Sequence, residues 1–504
     1  MNILPIPSTS PTLSPPASKP TEPDGTRHTN VLVDDGNVKI QHLFTYKTDH
    51  QGKRGLDVSR VLITTTDQDD NVTITVGVNH QLNARINGKD YKLPLTANND
   101  SHSLTIRTEG GNDRITVDKH VNIEMHIRGG DGDDYIAANG RFGTVDGGKG
   151  NDYIRLGTGH TVAFGGDGDD TMIAGIGNAV MSGGRGNDKL YATYPLQNTD
   201  QRQVHLNGDQ GDDELYAGTG INTLNGGLGN DKLVGYRQTT FYTGAGQDSV
   251  HSYDRRDRIY AKKTDTVHAP EQAKTSAIDY SDAGKKGFRI EGPTEFVERV
   301  EDQLEQLRGS PAGQKMLQEM DRLAEKNGGP VTITPSGVVA RNSYEFANAF
   351  RDAIPDSEYE KFKYRPELGF IKDGVAGSAA THAQITFHPD YFEKAFSISP
   401  LIALFHEMSH AYNGATGTFI PGNKPIIGNY GIPVMVRGQP LTVENGEYQA
   451  VGLPSNGAAF DFDNNPLTPP TTANPWPYNE NALRAEMGLP LRDRYEEQEP
   501  PRIV

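Results

Sequence analysis

The chain has no cysteine among its 504 residues. That excludes disulfides and thiolate metal sites, and it suits a polypeptide that must pass unfolded through an export channel. Long apolar runs are also missing. Nothing approaches the roughly 18 apolar residues that a membrane helix needs, and residues 1–30 lack the hydrophobic core of a cleaved signal peptide. Neither a helical membrane span nor a Sec-type route is therefore expected. Positive charge is in deficit, with Lys+Arg 49 against Asp+Glu 66 and a formal net charge of −17. A surface of that sign repels phosphate backbones, so nucleic acid is not expected as a partner.

Glycine is abundant, and much of it is periodic. Gly129-Gly130-Asp131-Gly132-Asp133-Asp134 returns as Gly147-Gly148-Lys149-Gly150-Asn151-Asp152, Gly165-Gly166-Asp167-Gly168-Asp169-Asp170 and Gly183-Gly184-Arg185-Gly186-Asn187-Asp188, each start 18 residues after the last. After an insertion around 193–199 the register resumes at Gly208-Asp209-Gln210-Gly211-Asp212-Asp213 and Gly226-Gly227-Leu228-Gly229-Asn230-Asp231. Weaker copies stand at Gly110-Gly111-Asn112-Asp113 and Gly244-Ala245-Gly246-Gln247-Asp248. Eighteen residues are two nonapeptides, one turn of a parallel β-roll of the RTX type. Turn carbonyls and carboxylates are hard oxygen ligands, so calcium is expected at Asp134, Asp152, Asp170, Asp188, Asp213 and Asp231. Ile136, Ile154, Met172, Leu190, Leu215 and Leu233, two beyond each aspartate, should stack inside. The alternate half-turns, such as Leu156-Gly157-Thr158-Gly159-His160, keep glycine and lose aspartate. Calcium is thus expected along one edge only.

Composition divides the rest. Residues 1–30 open Met1-Asn2-Ile3-Leu4-Pro5-Ile6-Pro7, are rich in Ser, Thr and Pro, and carry no acid before Glu22. This is expected to be a disordered leader and resembles type III secretion signals. Residues 31–107 read as strands that cap the roll, with Asn87-Gly88 as a hairpin turn. The roll is expected over 108–262, a polar linker over 263–290, and a second folded domain over 291–504 that opens with helices near 295–307 and 312–326. Asp461-Phe462-Asp463-Asn464-Asn465 imitates a calcium loop, but Pro466 stands where such a loop needs glycine.

The second domain holds His406-Glu407-Met408-Ser409-His410. In a helix, residues four apart share a face, so both imidazoles can address one zinc ion while Glu407 acts as general base. Pro400 suits the first turn and Gly414 is the expected stop; Leu401, Leu404, Phe405, Met408 and Tyr412 form the packing side, opposite Ala403, His406, His410 and Asn413. A third ligand is required. The metzincin pattern fails, because Asn413 and Thr416 occupy its Gly and His positions. Glu447 is the best remaining candidate and Glu444 its neighbour in competition. Ala383-Gln384-Ile385-Thr386-Phe387 reads as a strand and is the expected edge for an extended peptide, with His388 in the loop beyond.

Three segments in this order, Leu404-Phe405-His406-Glu407-Met408-Ser409-His410-Ala411-Tyr412, Glu447-Tyr448-Gln449-Ala450-Val451-Gly452-Leu453, and Glu480-Asn481-Ala482-Leu483-Arg484 through Arg492-Asp493-Arg494-Tyr495, resemble the NleD-type effector zinc metallopeptidases that bacteria inject into host cells. More distantly they resemble clostridial neurotoxin light chains. The likeness covers roughly residues 290–504. It implies an α+β zincin-like domain of the gluzincin type following the all-β roll, with zinc on His406, His410 and Glu447, water activation by Glu407, and oxyanion stabilisation by Arg492 and Tyr495. The Met408-Ser409 interior departs from the aliphatic pairs common in such enzymes.

The expected whole is a secreted zinc endopeptidase delivered into a host cell. Its partner would be a protein substrate, by analogy a host signalling protein, and a secretion chaperone is compatible with the leader. The alternative is a calcium-dependent adhesin with a degenerate peptidase domain. A roll that needs calcium would find little of it in a host cytosol.

Overall fold

A computed structural model describes residues 24–48, 54–192, 202–337, 342–390, 399–427, 433–436 and 438–495. Most of the leader and the insertion around 193–199 lie outside these. The chain divides into two compact units, 1–237 and 238–503.

The first unit is a parallel β-solenoid. One sheet stacks Glu124–Asp131, Phe142–Lys149, His160–Asp167, Ala179–Arg185, Gln203–Gln210 and Ile221–Asn225 in parallel. The facing sheet stacks Arg114–Val117, Tyr135–Ala138, Tyr153–Leu156, Thr171–Ile173, Lys189–Tyr191, Glu214–Tyr216 and Lys232–Gly235. Ile136, Ile154, Met172, Leu190, Leu215 and Leu233 are all 0 % exposed, so the inward column is as expected. Glycine is required where turns meet. Gly132 has φ 132°, and a Cβ at Gly147 would stand 2.1 Å from Asp152 Oδ2.

Parallel stacking starts earlier than the sequence reading placed it. Arg54–Thr64 already pairs in parallel with His102–Arg107, and Asn71–Val76 with Arg114–Val117. Only the antiparallel strands before and between these, His28–Asp34 with Lys39–Thr48 and Gln81–Ile86 with Lys89–Thr96, depart from the solenoid pattern. Asn87 and Gly88, at φ 48° and 82°, make the hairpin turn.

The second unit opens with more solenoid strands. Thr239–Tyr242, Arg258–Ala261 and Lys274–Ala277 pair in parallel, as do Ser249–Ser252 and Thr266–His268. The stretch read as a polar linker therefore contains ladder strands. Lys274–Ala277 is exposed throughout, which removes the apolar alternation that would have marked it.

The α+β part follows. Phe288–Ile290, Val331–Pro335, Gln384–Phe387 and Ser343–Glu345 form a sheet in that order, the last strand antiparallel. Gln384–Phe387 is interior, which overturns its reading as an edge; among the described residues the edge strands are Phe288–Ile290 and Ser343–Glu345. Helices α1 (Thr294–Gly309), α2 (Pro311–Asn327), α3 (Ala349–Asp352), α4 (Pro400–Thr416), α5 (Asn445–Val451) and α6 (Glu480–Glu486) complete it. One core joins Leu304, Leu307, Met316, Leu317, Ile385, Phe387, Leu404, Phe405 and Met408. No described helix is long and apolar enough to cross a membrane.

Candidate functional site

Helix α4 carries His406, Glu407 and His410. It ends at Gly417, φ 70°, rather than at Gly414. Gly414 lies inside the helix because Tyr344 packs against it: a Cβ there would meet Tyr344 Oη at 1.9 Å. The expected coordinating side is covered rather than open to solvent, with Ala403 and His406 half-buried. Leu404, Phe405, Met408, Ser409 and Asn413 are all 0 % exposed, and Glu407 and His410 are buried. The Ser409 hydroxyl donates to the Phe405 carbonyl at 2.9 Å, which satisfies it within the helix. Asn413 and Asn474 exchange side-chain amide bonds of 2.7 and 3.0 Å, pinning the segment before α6 to α4.

Helix α5 presents Glu447. Its buried Gln449 donates to the Thr418 carbonyl at 2.8 Å and accepts from the Ile420 amide at 3.1 Å, which fastens α5 to the chain leaving α4. Glu447 Oε2 consequently lies 3.2 Å from His406 Nε2, and Oε1 3.5 Å from His410 Nε2. The two Nε2 atoms are 3.2 Å apart. Among the described residues this is the cluster of His and acidic groups able to hold a metal ion. The separations, measured from the nearer carboxylate oxygen to each ring and between the rings, are close to the roughly 3.3–3.6 Å that donors about 2.0–2.2 Å from one tetrahedral ion would keep. Glu444 faces elsewhere and pairs with Lys363 at 2.8 Å.

Glu480, at the start of α6, was given no role from sequence. Its Oε2 accepts from His406 Nδ1 at 3.0 Å, directing His406 Nε2 at the cluster. Glu480 is 1 % exposed and also holds Arg492 Nη1 at 3.0 Å and Arg484 Nη1 at 3.4 Å. The available signal was Asn479, whose side chain caps α6 and so turns the next residue inward. Arg492 is nearly buried, its guanidinium 5.0 Å from the Tyr495 ring. Tyr495 Oη donates to Glu447 Oε2 at 3.1 Å. The structure thus gathers His406, His410, Glu447, Arg492 and Tyr495, with Glu407 buried on the same helix. His388 is held apart, its amide donating to Asn342 Oδ1.

The electrostatics follow from burial against partners. Burial opposes charge on His406, but hydrogen bonds to Glu447 and Glu480 push it up to about 10. Burial favours a neutral Glu447, yet His410 and His406 hold it well below the usual carboxylate range. Glu407 is raised, chiefly by burial.

The solenoid shows a second constellation. Each buried aspartate accepts the preceding one's amide: Asp134 N–H to Asp152 Oδ1 at 2.8 Å, Asp152 to Asp170, Asp170 to Asp188 and Asp188 to Asp213 each at 2.7 Å, and Asp213 to Asp231 at 2.9 Å. The other oxygen, Oδ2, of Asp134, Asp152, Asp170, Asp188 and Asp213 is buried without a hydrogen-bond partner. Burial pushes Asp152 up to about 8, Asp170 to about 9 and Asp213 to about 8. Orphaned carboxylate oxygens beside turn carbonyls are what a hard cation would satisfy, so the row fits calcium. On the alternate half-turns, glycines stack directly, a Cβ at Gly175 meeting the Gly157 carbonyl at 1.4 Å.

Residues 128–163, 156–190 and 207–239 match the RTX calcium-binding nonapeptide repeat. Residues 284–495 match the family model Peptidase_M91, described as an effector protein. No curated protein and no solved structure matches the chain. The chain therefore carries an effector domain of the Peptidase_M91 family, which implies a peptidase, preceded by RTX calcium-binding repeats that form a parallel β-roll.

Proposed function

We propose that the second unit is a zinc-dependent endopeptidase, exported and delivered into a host cell, where it cuts a host signalling protein. The observation that carries this reading is the convergence of His406, His410 and Glu447 at tetrahedral spacing, with Glu480 fixing the His406 ring from behind. Two imidazoles and a carboxylate with no thiolate are the donor set of a catalytic zinc rather than a structural one. Zinc, when bound, would supply Lewis acidity toward the scissile carbonyl and acidify water at its open position.

The chain's own residues do the rest. Glu407, buried one residue from His406, takes the proton from the attacking water and returns it to the leaving amine. Tyr495, bonded to Glu447, and Arg492, stacked on the Tyr495 ring, meet the negative charge that grows on the carbonyl oxygen in the transition state. Glu480 holds Arg492 in that place, so one buried carboxylate orients both a ligand and an oxyanion partner. The effector family and the repeats support export; the family supports a protein substrate.

The test incubates intact protein and Glu407→Ala with target-cell lysate and maps new protein termini by mass spectrometry. New termini that depend on Glu407 and vanish on zinc chelation are expected. Identical termini from both proteins would overturn the reading.

A further inference from the structure

The solenoid strands of the second unit carry a turn in which the cation is covalent. In the first unit, the turns ending at Asp134, Asp152, Asp170, Asp188 and Asp213 have glycine at the first position, a buried Oδ2 without a hydrogen-bond partner on the sixth-position aspartate, and an exposed third position. There Lys149 pairs with Asp131 at 2.8 Å in the open, with side chains 64 % and 69 % exposed. The turns at 243–248 and 260–265 keep the aspartate register, since the Asp248 amide donates to Asp265 Oδ1 at 3.3 Å. Their other residues change. Lys262, at a third position, turns inward; its side chain is 16 % exposed, and those of Asp248 and Asp265 are 0 %. Its ammonium lies 2.7 Å from Asp248 Oδ2, 3.3 Å from Asp265 Oδ1 and 2.5 Å from the Gly244 carbonyl. Two carboxylates and a turn carbonyl are the donor set that the first unit leaves open. Thr243 replaces the first-position glycine, and its hydroxyl donates to Asp265 Oδ2 at 2.7 Å.

What these turns support lies close to the His–Glu cluster. Thr240 Oγ1 donates to the Met487 carbonyl at 2.9 Å, and the fully buried Tyr242 donates to Glu486 Oε1 at 2.9 Å. Glu486 also accepts from Ser310 Oγ at 2.6 Å and the Ala312 amide at 2.7 Å, joining α6 to the start of α2. At the other end of α6 stands Glu480, which holds His406.

We propose that the Lys262 ammonium is a tethered stand-in for calcium, so that residues 239–265 stay folded and keep α6 in place where calcium is scarce, while the aspartate turns upstream require the ion. A cation built into the chain cannot be diluted away, whereas free calcium in a cytosol is orders of magnitude below extracellular levels. This inference does not depend on the peptidase reading, and its test reads structure rather than activity.

Hydrogen exchange of the full chain is measured by mass spectrometry in calcium and after dialysis into calcium-free buffer. Peptides within 130–235 are expected to lose protection by at least about tenfold, while those within 239–262 change by less than about threefold. Loss in both regions together, or in neither, would overturn the proposal. In calcium-free buffer Lys262→Met is expected to lose protection over 239–262 by about tenfold relative to wild type. A variant as protected there as wild type would overturn it as well. If Lys262→Met fails to fold, the wild-type comparison alone decides.

Discussion

The two candidate metal sites bury carboxylates in opposite ways. In the His–Glu cluster each acid already has a partner within the chain: Glu447 faces two imidazoles and a phenol, and Glu480 faces an imidazole and two guanidinium groups. In the aspartate row each carboxylate uses one oxygen on a backbone amide and leaves the other bare, beside like charges above and below. The first arrangement can stand before metal arrives, so the ion adds chemistry to a formed site. The second leaves carboxylate oxygens without a donor, so calcium bound there would become part of the fold. Lys262 belongs with the first kind, although it sits on a solenoid turn.

The largest effect expected from this contrast is a pH dependence confined to the calcium-free roll. Burial raises the folded-state values of Asp134, Asp152, Asp170, Asp188 and Asp213 to about 6, 8, 9, 7 and 8. Unfolded aspartate titrates near ~3.9, so between roughly pH 4 and 9 the folded state binds more protons and stability falls as pH rises. Even one pKa unit on each of the five would amount to about 7 kcal/mol, comparable with the stability of a whole domain. In calcium-free buffer, circular dichroism melts of the roll should therefore move to higher temperature by at least about 10 °C between pH 8 and pH 5. With saturating calcium the trend should vanish or reverse. A calcium-free melt independent of pH would show that the buried row is not the source of the instability.

A smaller effect tests the completed cluster. Glu480→Gln keeps the size of the side chain but removes the charge that orients His406 and holds Arg492 and Arg484. Zinc affinity is expected to drop about 10–100-fold, the usual cost of losing an outer partner of a metal-bound histidine. Folding should survive, because α6 remains tied through Glu486. Competition with a chromogenic chelator measures this. Unchanged affinity would mean that the His406 ring is oriented by packing alone.

Much of this contrast was legible in the residues, and the exceptions have physical causes. The repeat announced itself through glycines that the turns cannot do without. The metal helix was readable from His406 and His410, and Glu447 from its place in the resembling segment. Glu480 was quoted but given no role, since an acid in the first turn of a helix ordinarily faces water and favours the dipole. Its burial depends on Asn474 and Asn479, which bring α6 against α4 through contacts far apart in sequence. The strands Thr266–His268 and Lys274–Ala277 were hidden for the converse reason: they bury too little to alternate. Gln384–Phe387 was recognisable as a strand, but whether a strand is interior or at an edge depends on which segments pair with it, and Ser343–Glu345 gave no sign of doing so.

The finest test exchanges one bare oxygen for a donor. Asp170 Oδ1 accepts the Asp152 amide at 2.7 Å, and Oδ2 is buried without a partner. A Cβ at Gly165 would lie 2.1 Å from that oxygen and 2.4 Å from the Gly183 carbonyl, so an amide nitrogen in place of Oδ2 has an acceptor nearby. Asp170→Asn should keep the ladder bond, remove the cost of protonating a carboxyl on burial, and gain a hydrogen bond. Without calcium at pH 8 it is expected to stabilise the roll by about 1–2 kcal/mol, an effect that shrinks as pH falls and is smallest well below ~3.9, where wild-type aspartate is protonated in both states. In saturating calcium the sign should invert, because a carboxylate ligand has become a neutral amide. Paired denaturant titrations with and without calcium read both signs. Destabilisation in both conditions would mean that Asp170 is structural in itself, and the distinction between a formed site and an ion-completed fold would fail at the turn whose carboxyl is pushed up furthest.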